Sequence, residues 1–97
     1  MATFRYTKRA EQELANILAY TKEHWGEAQS QRYLDQLAET LTLLARYKQI
    51  GRTYSKTHPA WRRFEQTSHI IVYSPTADGI RVHRLVHKNQ LFERAVR

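Results

Sequence analysis

The sequence predicts an α+β fold: an N-terminal strand, then an antiparallel helical hairpin packed on a small, mainly antiparallel sheet, in the order β-α-α-β-β-β. Three observations predict it. Apolar residues before Gly51 recur at helical spacing, those after it alternate or run β-branched and aromatic, and Asp78-Gly79 marks a tight reversal late in the chain.

Residues 3–6 (Thr-Phe-Arg-Tyr) are rich in β-formers and read as a first strand. Thr7 then suits a helix N-cap, because its hydroxyl can accept a bond from a free N–H of the first turn. Ala10, Leu14, Ile17, Leu18 and Thr21 form the buried stripe of the first helix, opposite Glu11, Gln12, Asn16 and Lys22. Trp25-Gly26 should end it, since glycine tolerates the left-handed conformation of a helix stop.

A second helix begins near Glu27, with Leu34, Leu37, Leu41 and Leu44 as its stripe, widened by Tyr33, Ala38 and Ala45. The short link makes the helices antiparallel neighbours. The second should end within residues 47–49, before a surface loop over residues 50–60 that holds Gly51 and Pro59. Residues 61–65 and 69–74 read as strands joined by Gln66-Thr67-Ser68, and Ile70-Ile71-Val72-Tyr73 marks the central strand. Residues 80–86 form the last strand, and residues 91–96 are expected to make a helical turn.

Ninety-seven residues suffice for one domain, expected to span 1–97. A chain this short buries only about 60–65% of its unfolded surface, so a partner covering apolar area would stabilise it. The net charge of +7, from 16 Lys and Arg against 9 Asp and Glu, calls for a negatively charged partner. Cysteine is absent, which excludes disulfides, thiolate metal sites and thiol nucleophiles. No apolar run reaches the ~20 residues of a membrane span, and residues 1–9 lack a signal peptide's apolar stretch, so no membrane partner and a cytoplasmic location are expected. His83 and His87 would stand roughly 13 Å apart on a strand, too far to share a metal. No metal or other cofactor is expected.

Four segments carry a family resemblance. They are Phe4-Arg5-Tyr6-Thr7 with Ala10, Glu13 and Leu14; Tyr20, Trp25 and Gly26; Trp61-Arg62-Arg63-Phe64 with His69-Ile70-Ile71-Val72-Tyr73; and Arg84-Leu85-Val86-His87. Together and in this order they resemble the ParE branch of the RelE/ParE toxin–antitoxin superfamily. ParE chains commonly place Met-Asp two residues after the closing His; here the run is His87-Lys88-Asn89-Gln90-Leu91.

The resemblance implies a toxin neutralised by an antitoxin encoded beside it, ParD-like or otherwise acidic, in a hetero-oligomer. It also implies one of two activities. ParE-like proteins poison DNA gyrase, whereas RelE-like relatives cut mRNA on the ribosome. RNA cleavage through the 2′-hydroxyl needs a base, an acid and cations for the phosphorane. His83 and His87 titrate in the right range, and Arg62, Arg63, Arg81, Arg84 and Lys88 supply charge. A nuclease would therefore use His87 with Arg84, Arg81 and Arg63. RelE-type nucleases usually carry a Tyr after the last strand, however, and the last Tyr here is Tyr73.

The favoured expectation is a non-enzymatic gyrase inhibitor whose target surface comprises Arg81, Arg84, His87 and Lys88. An acidic, amphipathic antitoxin segment is expected at Leu37, Leu41, Leu44, Trp61 and Phe64, against the plainer reading that all five are core. A third class, a non-toxic nucleic-acid-binding module, would use the basic strands as a phosphate surface.

Overall fold

The computed structural model describes residues 3–88. The expected turn at 91–96 lies outside the described residues. Strand β1 (Thr3–Tyr6) runs into helix α1 (Lys8–Trp25), followed by α2 (Glu27–Arg46), β2 (Arg52–Thr53), β3 (Arg62–Gln66), β4 (His69–Thr76) and β5 (Gly79–His87). The sheet has five strands in the order β1-β5-β4-β3-β2. β1 pairs with β5 in parallel, and every other pairing is antiparallel. β4 is central, as its β-branched run predicts.

Local chemistry sets the helix ends. Thr7 Oγ1 accepts from the Ala10 N–H at 3.1 Å, the N-cap bond its position calls for. Gly26, with φ of +94°, ends α1, and its N–H donates to Lys22 O. α2 resumes one residue later, so the hairpin closes on a single glycine.

The hairpin covers one sheet face. Leu37, Leu41, Leu44 and Ala45 of α2 and Ala10 of α1 form one buried cluster with Ile71, Tyr73, Ile80, Val82 and Leu85. Each fully buried leucine contributes about 2 kcal/mol relative to exposure. No helix among the described residues is long and apolar enough to cross a membrane.

Three features differ from the expectation. The loop over residues 50–60 contains β2, a two-residue strand on β3 held by backbone pairing rather than by any apolar pattern. β4 extends through Pro75, which is tolerated because β3 ends opposite Tyr73 and demands no N–H beyond it. Finally, β5 carries a bulge. Val72 pairs with Arg84 and Tyr73 with Val82, so His83 is the unpaired extra residue. The bulge shifts the alternation, which brings Leu85 back to the hairpin side after Ile80 and Val82.

Two glycines are fixed by crowding. A Cβ on Gly79 would collide with the Thr3 carbonyl, so β1 can lie on β5 only because residue 79 has no side chain. A Cβ on Gly51 would meet the Tyr73 ring. That ring's hydroxyl accepts from the Gly51 N–H at 2.8 Å and donates to Lys48 O at 3.0 Å, which ties the end of α2 to the sheet.

Candidate functional site

β1 reaches along β5 only as far as Val82, and among the described residues no strand lies on the β5 edge beyond it. Thr7 and α1 take over that edge. The Thr7 N–H donates to Val82 O and the Thr7 hydroxyl to His83 O. One turn on, Glu13 accepts the Leu85 N–H at 3.0 Å through Oε1 and the Arg84 guanidinium at 2.9 Å through Oε2. The Arg84 and Glu13 side chains are only 13% and 21% exposed, so the pair is largely withdrawn from water. Breaking such a pair costs about 3 kcal/mol, because the survivor is left charged and poorly solvated.

Beside this pair lies a groove of about 970 Å³ between the hairpin and the ends of β4 and β5. Its walls include Tyr20 and Trp25 of α1, Tyr33 of α2, and His69 and His87 of the sheet. Trp25 is 73% exposed and Tyr20 60%, unusual values for large aromatic rings. The His69 and His87 rings, cross-strand partners, meet edge to face at 5.3 Å. Tyr33 meets His69 at 5.4 Å. Burial pushes the Tyr33 phenol up to about 12, with Tyr6 adding to the effect. Burial, reinforced by His87, holds His69 below the usual imidazole value. His69 Nδ1 and both amide atoms of Gln66 are buried with no hydrogen-bond partner among the described residues.

The expected site residues divide sharply. Leu37, Leu41 and Leu44 are fully buried. They are core, as the plainer reading had it, and offer no area to a partner, because the sheet already occupies their face. Phe64 is half-buried against the same cluster. Trp61 is half-buried among imidazoles outside that core, near-parallel to His83 at 4.1 Å. Arg84 is held by Glu13 rather than presented to a target. Lys88 pairs with Glu65 at 3.3 Å in a half-exposed bridge, while His87 lines the groove. Arg81 is exposed. Arg63 lies on β3 opposite Val72, remote in register from His87, which lies opposite His69. Arg62 donates to Gly51 O and Gln49 Oε1, bracing the loop after α2.

Sequence reasoning missed the groove. Tyr20 and Trp25 were legible only as a family feature of the helix end, and Glu13 only as part of the first-helix motif. The accessible signal was a pair of large aromatics five residues apart at the end of α1, one of them directly before the helix-ending glycine.

The hairpin-on-sheet frame is shared with a solved chain of the chromosomal ParDE TA system from P. aeruginosa, with a TM-score of 0.72 at 16% identity, covering 90% of this chain and 96% of that one. At this identity the likeness shows a shared fold. The sequence profile of the ParE toxin of type II toxin–antitoxin systems, parDE, matches residues 4–92, and the chain belongs to this family. It is 28% identical over 91 residues to Toxin ParE1 of Caulobacter vibrioides, covering 92% of each chain. It is 30% identical over 86 residues to Toxin ParE1 of Mycobacterium tuberculosis, covering 88% of each. Against Toxin ParE of Escherichia coli the identity is 31% over 77 residues, covering 79% of this chain and 75% of the relative.

Proposed function

We propose that this ParE-family toxin inhibits DNA gyrase by docking, in the cytoplasm, and is neutralised by an antitoxin segment seated in the aromatic groove. The observation that carries the docking reading is the Arg84–Glu13 pair. A phosphorane-stabilising arginine must face the reacting phosphate, and here the guanidinium is bound by a carboxylate that also caps the β5 edge. Arg84 is thereby a structural residue, and Arg81 remains as the exposed cation of the expected target surface.

The groove suits the apolar face of an amphipathic segment. Tyr20 and Trp25 provide rigid aromatic anchors, the kind that carry most binding energy in protein interfaces. The acidic face of such a segment would answer the net charge of +7.

RNA cleavage has one feature in its favour: His69, His87 and Tyr33 converge on one groove wall. A phenol with a pKa of about 12 is a weak proton donor near neutrality, and the adjoining cations Arg84 and Lys88 are both engaged by carboxylates. The deciding experiment pairs supercoiling by purified gyrase with mRNA integrity on translating ribosomes. Loss of supercoiling, retained in His87→Ala, is the expected result. Untouched gyrase with codon-specific mRNA cuts that vanish in His87→Ala would establish the nuclease instead.

A further inference from the structure

The sheet face opposite the hairpin holds a second constellation, of which the docking reading uses only Arg81. Register places its members in one row across the strands. Arg5 of β1 pairs with Arg81 of β5, and Arg81 pairs with Ser74 of β4. Trp61 stands next in line, since Arg62 pairs with Tyr73. The β5 bulge adds His83, whose Nε2 lies 2.8 Å from Ser74 Oγ.

Trp61 is sandwiched. The His83 ring lies 4.1 Å from it at 13°, and the His58 ring 4.0 Å from it at 22°. Two imidazoles each that close and nearly parallel to one indole must occupy opposite faces, since on one face they would overlap. The result is a three-ring column, His83–Trp61–His58. His83 is its half-buried base, and the outer member, His58, is exposed. Burial, with the nearby Arg81 and His58 charges, holds the His83 imidazole below its ordinary value, so the inner ring is a neutral stacking layer at pH 7.

The flanking charge is uncompensated. Arg5 and Arg81 are both exposed, and neither forms a salt bridge among the described residues. Like charges directly across two strands destabilise the pairing unless an anion sits between them. The nearest turn carboxylate, Asp78, is taken up by the Thr3 and Thr76 hydroxyls.

We infer that this face binds single-stranded nucleic acid, with a backbone phosphate on the Arg5–Arg81 pair and a base stacked on the exposed face of His58. Cations that track the backbone, next to a ring that accepts a base, are the two elements of sequence-tolerant single-strand binding. A polyanionic protein segment would satisfy the arginines but leave the ring column without a role. It shares Arg81 with the gyrase reading but not Arg5, Trp61 or His58, and oligonucleotide binding by the purified protein is measured without gyrase.

The test is fluorescence anisotropy with a labelled oligothymidylate of about 20 nucleotides and a duplex of equal length, titrated with the purified protein across a salt series. Arg5→Gln/Arg81→Gln should weaken single-strand binding at least about tenfold and flatten the salt slope by about 0.7, the value for one lost phosphate contact. Lys22→Gln/Arg46→Gln removes the same charge from the hairpin and should change the affinity less than about threefold. His58→Ala should weaken the single strand more than the duplex, a preference that charge alone does not create. No binding to either oligonucleotide, equal losses in the two charge-matched variants, or a His58→Ala effect equal on both oligonucleotides would overturn the inference. Thermal melts identical to wild type keep the comparison clean.

Discussion

The two faces of the sheet solve different problems. Where the hairpin meets the β5 edge, Arg84 is held by Glu13, and the large rings open to solvent beside it are Tyr20 and Trp25 over a groove. On the far side the aromatic rings are stacked on one another, and what remains open is charge: Arg5 and Arg81. The difference teaches that apolar docking and electrostatic attraction can be separated in a domain of this size, with the core strands β4 and β5 as the wall between them.

The most severe way to break that division is to detach β1. Gly79→Val puts a side chain into the Thr3 carbonyl and expels the strand that carries Arg5. Denaturant unfolding should show a loss of about 3 kcal/mol or more, as for other substitutions that force backbone apart. Full stability would mean that β1 contributes little to the fold.

Glu13→Ala attacks the other side. It strands the Arg84 guanidinium and orphans the Leu85 N–H, and should cost about 3 kcal/mol. Glu13→Gln keeps an acceptor for the N–H and should cost about half as much. Equal losses for the two would assign the effect to packing rather than to charge.

Trp25→Ala sharpens the comparison from the surface. The ring is exposed, so stability should change by less than about 0.5 kcal/mol. Affinity for the antitoxin should fall by about 2 kcal/mol, the scale of an aromatic anchor. Calorimetric titration of the two purified proteins measures it, and an unchanged affinity would remove the groove from the interface.

The smallest effect is pH dependence. Burial lowers the pKa of His69 on the groove side and of His83 on the basic side. The unfolded chain then binds more protons than the folded one, so stability is fully present above the unfolded value near 6.5 and declines as pH falls through it towards the folded values. His69→Phe and His83→Phe should each flatten that decline in denaturant unfolding followed between neutral and mildly acidic pH. A slope unaffected by both would assign the acid sensitivity to other groups.

Much of the fold was legible because it is written in periodicities. The leucine stripe of α2, the Thr7 cap, the Gly26 stop and the β-branched run of β4 each act within a few residues. β2 was illegible because two exposed residues, Arg52 and Thr53, carry no pattern and owe their state to β3. The β5 bulge was illegible because a one-residue phase shift follows from strand pairing, not from local preference. Among site residues, type alone misled. Leu37, Leu41 and Leu44 are apolar because they are core. Arg84 is basic because Glu13, 71 positions earlier, needs a partner. Arg81 was the informative cation, since an arginine on an edge-proximal strand with no acidic neighbour in register is left to solvent.

The division of labour between the faces is tested most directly by crossing two variants with two readouts. Trp25→Ala and Arg81→Glu are each assayed for antitoxin affinity by calorimetry and for inhibition of gyrase supercoiling. A crossed result is expected: Trp25→Ala loses antitoxin affinity and still inhibits gyrase, whereas Arg81→Glu keeps most antitoxin affinity and loses inhibition. Parallel losses of both activities in both variants, with the fold intact, would show instead a single surface shared by antitoxin and gyrase.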